Sequence, residues 1–114
     1  MKRILFIIVV IFVKTLSVYA VDQNLLMDLY TQGNELFQEA IDIEGTNPET
    51  ARELYKDSLS RFIQISEDIQ NGKLYYNIGN IYFQLGDIGN AILAYNKAAL
   101  FIPGDRNLQE NLSI

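Results

Sequence analysis

Apolar positions recur along most of the chain in steps of three and four residues, a spacing that places them on one side of an α-helix. One such stripe runs from Asn24 to Glu44, and a second runs from Pro48 to Ile69. Two shorter stripes follow, from about Lys73 to Leu85 and from about Ile88 to Phe101. After residue 21 no alternating stretch is long enough for a β-strand. The pattern predicts an all-α chain of paired antiparallel helices.

Residues with known roles at helix ends separate these stripes. Asn47 is suited to cap the second helix, and Pro48 fits the first helical position, where its missing N–H group is not needed. Gly86 is suited to the left-handed conformation that ends a helix, and Asp87 can cap the fourth helix. Pro103 ends that helix. The turns therefore predict the same four helices as the apolar pattern.

The N-terminal segment has a different pattern. Lys2 and Arg3 precede an unbroken apolar run over residues 4–13, which spans only ~15 Å as a helix, half of a ~30 Å hydrocarbon core. The segment ends with small or medium residues up to Ala20. A charged start, a short apolar centre and an alanine end are typical of a secretory signal peptide. We therefore predict that residues 1–20 are cleaved after Ala20 and that the protein is exported to the periplasm or cell envelope.

The same segment also fits an uncleaved N-terminal membrane anchor. In that case residues 15–21 extend the apolar span past Lys14, whose long side chain can reach toward water. Both alternatives leave residues 21–114 as one helical domain.

The most specific motif is a 34-residue unit at residues 72–105. It places an aromatic residue, then an Ile-Gly-x2-Tyr group, an Ala-x3-Tyr group and a proline at fixed offsets. Gly79 and Ala91 are small where two antiparallel helices cross, and Ala98 is small where a following unit would pack. This unit resembles the tetratricopeptide repeat (TPR), whose pattern has these offsets. The signature positions are Tyr75, Ile78, Gly79, Tyr82, Ala91, Tyr95, Ala98 and Pro103.

Residues 24–70 resemble a divergent TPR-type hairpin. Ala51 and Tyr55 match Ala91 and Tyr95, but they precede them by more than one repeat length, and Gly33 precedes Gly79 by more again. We therefore expect about six extra residues in the turn of this first hairpin. For residues 106–114 we predict a short capping helix, because Leu108 and Leu112 lie four residues apart on an otherwise polar segment.

A narrower resemblance is to the small TPR protein of bacterial Bat (aerotolerance) operons. It rests on Leu74 to Asn80 and on Gly86 to Ile92, and it covers about residues 30–112. Longer relatives in that family continue past the point where this chain stops. The resemblance implies a periplasmic scaffold whose partners are membrane-bound von Willebrand-type proteins.

TPR arrays bind peptides and partner domains along the face built by the first helix of each pair. In the full repeat, Asn77 and Asn80 offer amide groups that can both donate and accept hydrogen bonds. Lys73 can meet a carboxylate, and Tyr76 with Phe83 supplies apolar contact. The alternative interpretation is that these are ordinary solvated or semi-buried helix residues. The alternative use of the fold is stacking of TPR ends into a homo-oligomer. The predicted partner-binding residues are Lys73, Tyr76, Asn77, Asn80, Phe83 and Gln84.

The amino-acid composition excludes most types of catalytic site. The chain has no His and no Cys, so the commonest general base, the commonest metal ligand and thiol nucleophiles are missing. Glu35 and Glu39 lie one turn apart, but on the polar side of their helix, where surface charge is the simpler interpretation. We therefore predict no catalytic residues, no metal and no cofactor.

Charge is unevenly distributed. The net charge is −5, and residues 22–68 alone carry −8, while residues 69–114 are neutral overall. This balance argues against nucleic acid as a partner. The acidic half is either a solvated surface or a surface that prefers a basic partner.

Overall fold

The computed structural model describes residues 2–113, with side chains from residue 23 onward. Over this range the chain forms five helices that pair antiparallel in sequence order, so the predicted all-α hairpin fold is confirmed. α1 packs against α2, α3 packs against α4, α2 joins the two hairpins through α3, and α5 packs on α4. The helices are α1 (Lys2–Ile43), α2 (Pro48–Ser66), α3 (Gly72–Gln84), α4 (Ile88–Phe101) and α5 (Arg106–Leu112).

Side-chain caps fix where the later helices begin. The Asn47 side chain accepts a hydrogen bond from the Thr50 amide at 3.2 Å, with Pro48 at the first helical position. Asp87 accepts from the Asn90 amide at 3.2 Å, which caps α4. Gly86 has a φ of +78°, the left-handed conformation that glycine adopts without strain. The polar residues between the apolar stripes therefore set the bounds of the two hairpins.

α1 extends much further toward the N-terminus than the predicted start near Asn24. No Gly or Pro occurs between Lys2 and Gln32, so nothing in this stretch interrupts a helix. The side chains of residues 1–20, to which the signal-peptide prediction applies, lie outside the described ones. Among the residues that the structure describes, no helix is long and apolar enough to cross a membrane.

The first hairpin has a different register from the expected one. A Cβ placed on Gly33 would lie 2.9 Å from the Phe62 ring, just as one on Gly79 would lie 2.5 Å from the Tyr95 ring. Ser58 precedes Phe62 by four residues, as Ala91 precedes Tyr95. Phe62 and Ser58, rather than Tyr55 and Ala51, therefore correspond to the signature positions of the second hairpin.

This register changes how many extra residues the first hairpin has relative to the second, and where they lie. Gly33 and Phe62 lie much further apart in the chain than Gly79 and Tyr95 do, and the difference amounts to between three and four helical turns. The expected six extra residues in the turn were wrong. Nearly all the extra residues lie in the helices, because α1 ends at Ile43 and α2 begins at Pro48. The first hairpin thus projects beyond the second by more than one helical turn on each helix of the pair.

The extended part of the first hairpin has its own close packing. Ala40 and Ala51 are fully or almost fully buried, so α1 and α2 approach closely there. The Phe37 and Tyr55 rings meet edge to face with centroids 5.5 Å apart. The Tyr55 hydroxyl donates to Glu44 Oε2 at 2.6 Å. Burial, together with this carboxylate, raises the pKa of Tyr55 well above its ordinary value, so the phenol remains a neutral donor.

Candidate protein-binding face

α3 carries all six predicted partner-binding residues along one side. Asn71 caps this helix by accepting from the Leu74 amide at 2.8 Å. Gly72 permits close packing at the same end, because a Cβ there would lie 2.8 Å from the Ile102 side chain. The other side of α3 is buried through Leu74, Ile78 and Ile81. α3 is therefore held firmly through this buried side.

Two of the predicted residues belong to a polar cluster that connects α3, α4 and α5. The Tyr95 hydroxyl donates to Asn80 Oδ1 at 2.6 Å. The Asn111 side-chain amide, from α5, lies 3.4 Å from Asn80 Oδ1 and 3.4 Å from the Tyr76 hydroxyl. Tyr76 and Asn80 are therefore half-buried and hold the last helix in place, rather than standing free in solvent.

Tyr95 is the buried member of that cluster. Burial raises the pKa of Tyr95, the neighbouring Tyr76 phenol adds to the rise, and the Asn111 amide opposes it. The hydroxyl therefore keeps its proton well above neutral pH and continues to donate to Asn80. The cluster orients the Asn80 amide by a fixed hydrogen bond.

Asn77 faces the first hairpin instead. A small cavity of about 30 Å³ lies between α1 and α3, with Asn34, Asn77 and Asn80 among its lining residues. This is close to the volume of one water molecule. Phe37, Phe62 and Ile81 form its apolar wall. Three carboxamides from two helices thus converge beside a fixed apolar surface.

Together, Asn34, Asn77, Asn80 and Asn111 form a row of carboxamides across α1, α3 and α5, which we call the amide row. Sequence reasoning found Asn77 and Asn80 but missed the other two. Asn34 follows Gly33 as Asn80 follows Gly79, and Asn111 stands one repeat length after Asn77. With the register now known, both equivalences can be read from the sequence.

The remaining predicted residues lie apart from this row. Lys73 lines an apolar groove of about 660 Å³ at one end of α3, beside Tyr30, Phe101 and Ile102. Gln84 is eleven residues away on α3, or ~16 Å along the helix, in a cleft beside Tyr55. The structure therefore brings Tyr76, Asn77 and Asn80 together and leaves Lys73 and Gln84 outside that group.

Phe83 is 40% exposed near the C-terminal end of α3. It lies one turn beyond Asn80, so it extends the same side of the helix with an accessible apolar ring.

The acidic pair of α1 lies on the surface. Glu35 and Glu39 are both exposed on α1. Within residues 23–113, no group of three or more carboxylates lies close enough to hold a metal ion.

The signature residues of the motif pack between the helices. Ile78, Gly79, Ala91, Tyr95 and Ala98 are buried, and Leu108 of α5 is fully buried against Ala98 and Tyr95. Tyr75 and Tyr82 are half-buried between the two hydrophobic clusters, and the exposed Pro103 lies in the turn after α4. Fold and packing together define a protein built of repeated helical hairpins.

Comparison with known families identifies the type of repeat. Residues 72–105 match the family model of the tetratricopeptide repeat. This stretch is therefore a TPR, a unit that generally serves non-catalytic protein–protein interaction, within an all-helical fold of the TPR hairpin type. No curated protein and no solved structure matches the chain.

Proposed function

We propose that this protein is a non-catalytic scaffold of the cell envelope that binds an extended segment of a partner protein along the amide row. The observation that carries the proposal is the convergence of carboxamides from three helices on one face. A carboxamide both donates and accepts hydrogen bonds, which matches the alternating N–H and C=O groups of an extended peptide backbone. The exposed Phe83 supplies an adjacent apolar contact.

The resemblance to the small TPR protein of Bat operons supports one class of partner. Membrane-bound von Willebrand-type proteins of the envelope are the partners that this resemblance implies. Self-assembly into a homo-oligomer is the alternative.

Export is supported by the charged start, short apolar run and Ala20 of the N-terminal segment. We expect the protein purified from its native envelope to begin at Val21, as measured by intact-mass spectrometry. A membrane-bound species that retains Met1 would show that the segment is an anchor. A soluble species that retains Met1 inside the cell would contradict export.

Peptide selection tests the binding function directly on the protein, whatever its natural partner. Random peptides displayed on phage are selected against the immobilised full-length protein, and the affinity of the enriched peptides is measured by fluorescence anisotropy. We expect Asn77→Ala to weaken binding about tenfold, or ~1.4 kcal/mol, since it removes hydrogen bonds to the peptide backbone. Asn77 is a better probe than Asn80, because Asn80 also accepts a hydrogen bond from the Tyr95 hydroxyl.

Gln64→Ala is the matched control, because Gln64 is exposed on α2 and outside the amide row. It should leave affinity unchanged. Peptides that bind the Asn77→Ala protein as tightly as the unmodified one would show that the amide row is not the binding site.

A further inference from the structure

The apolar groove beside Lys73 lies where both hairpins meet at one end of the domain. Its volume of about 660 Å³ is within the range of ligand pockets in proteins. The walls come from residues 23–30 of α1, the last turn of α2, the start of α3 and the end of α4. Two of its apolar side chains are solvent-exposed, Met27 by 65% and Phe101 by 47%. The groove is therefore open, and a ligand can enter it from outside.

We infer that this groove binds one long-chain fatty acid, with the acyl chain along the apolar walls and the carboxylate at Lys73. Among the described residues that line the groove, Lys73 is the one that carries a charge, and it is exposed in the first turn of α3. Asn71 beside it caps α3 through its side-chain oxygen, which leaves its NH₂ group as a second donor. A carboxylate accepts hydrogen bonds from both kinds of donor.

The volume of the groove favours a single acyl chain. A methylene group is about as large as a water molecule, whose share of the liquid volume is ~30 Å³. On that scale a chain of about sixteen carbons needs roughly 480 Å³, which the groove can hold, whereas the two chains of a phospholipid need roughly twice as much. One chain and one negative charge match the groove and its single cation. A free fatty acid therefore fits better than a phospholipid.

α1 places a source of acyl chains next to the groove. The helix continues without a break from the apolar run over residues 4–13 to Gln23 at the groove, ~15 Å further along its axis. Both interpretations of the N-terminal segment, the signal peptide and the anchor, bring that run into a membrane. The acidic first hairpin opposes docking of the whole domain on an anionic lipid surface, because like charges repel. A single lipid molecule taken up at the groove avoids that repulsion.

The groove is separate from the proposed peptide site. None of the amide-row residues lines it. This inference therefore does not rest on the proposed peptide binding, and either can fail alone.

Photo-cross-linking with a fatty acid that carries a diazirine in mid-chain tests the site. The full-length protein in phosphatidylcholine nanodiscs is irradiated with this probe and digested, and mass spectrometry locates the adducts. We expect adducts at Met27 and Phe101 in addition to those in residues 4–13, which report probe in the bilayer itself. Unlabelled palmitate should suppress the groove adducts at least tenfold more effectively than hexadecanol, because only the acid offers a charged acceptor. Equal suppression by the acid and the alcohol would overturn the inference.

A charge substitution tests the role of Lys73. Lys73→Gln should lower the groove adducts at least fivefold and leave those in residues 4–13 unchanged. Lys56→Gln is the matched control, because it removes the same charge from an exposed position of α2 outside the groove. It should leave all adducts unchanged. Equal groove labelling of the Lys73→Gln and Lys56→Gln proteins would contradict the carboxylate site.

A second variant tests the apolar wall. Met27→Asp places a negative charge at the groove and should lower the adducts at Phe101 at least fivefold, because the probe is itself anionic and its chain needs an apolar surface. Unchanged labelling at Phe101 in this variant would overturn the inference. So would equal labelling of the groove by a phosphatidylcholine with the same diazirine, which would show that bilayer phospholipid fills it instead.

Discussion

Replacing Phe62 with alanine should lower the free energy of unfolding by about 3–5 kcal/mol, the range found when a buried aromatic ring is removed. Phe62 is 1% exposed and its ring lies edge to face with Tyr30, with centroids 5.8 Å apart. It also fills the space beside Gly33, at a contact between α1 and α2. The measurement is urea unfolding of the full-length protein in mild detergent, followed by circular dichroism. A loss this large is a substantial part of the stability of a small domain.

Ile63→Ala is the matched control for this change. Ile63 follows Phe62 on α2 but is 38% exposed, so its truncation should cost well under half as much. Gly33→Ala adds a test of the register itself, since its new methyl group would collide with the Phe62 ring. That substitution should be destabilising alone and much better tolerated together with Phe62→Ala. Equal losses for Phe62→Ala and Ile63→Ala would contradict the observed register.

Gly79→Ala should lower the free energy of unfolding by about 1–3 kcal/mol through overpacking. The added Cβ would lie 2.5 Å from both Cδ1 and Cε1 of Tyr95. The ring cannot move aside freely, because it is buried and its hydroxyl is bonded to Asn80. Thermal and urea unfolding of the full-length protein would measure the loss.

Gly89→Ala is a control with the opposite expected sign. Gly89 lies in the first turn of α4, and a Cβ placed on it would meet no atom within 4 Å apart from its chain neighbours and the backbone of its own helix. Alanine there should leave stability unchanged or raise it by up to about 1 kcal/mol, because it restricts the unfolded chain and favours helix. Stabilisation or no change in both variants would contradict the close helix crossing at Gly79.

The second hairpin could be predicted from the sequence because its signals are local. The cap at Asp87, the left-handed Gly86 and the TPR offsets each depend on residues near one another in the chain. The Asp87 side chain satisfies a backbone group that any helix leaves open at its start. Such signals can be recognised without knowledge of the tertiary structure.

The register of the first hairpin could not be predicted in the same way. An extension inside two helices keeps the 3.6-residue period, so the apolar stripe gives no sign of where the added turns lie. Ser58 also replaces the usual small apolar residue at the crossing. It fits because it is fully buried and its hydroxyl donates to the Gly33 carbonyl at 2.7 Å. The sequence analysis instead assigned Ala51 to the position of Ala91. Ala51 lies in the extension and is equally well buried.

The candidate site was predicted only in part for a related reason. Asn34 was missed because its equivalence to Asn80 depends on the register of Gly33 and Phe62. Asn111 was missed because the last residues were interpreted through Leu108 and Leu112 alone. Contact between α5 and α3 also half-buries Tyr76 and Asn80, which were expected to face solvent. Each miss concerns contacts between residues that are far apart in the chain.

If the amide row binds an extended peptide, side-chain amide NMR shows it most directly. The ¹⁵N-labelled full-length protein in mild detergent is titrated with a peptide obtained by the phage selection. We expect the side-chain NH₂ signals of Asn34, Asn77, Asn80 and Asn111 to shift together and to saturate at one common affinity. The signals of Asn90 and Asn96 on α4 should stay in place. Saturable shifts confined to α4, with the four amide-row signals unmoved, would contradict peptide binding at the amide row.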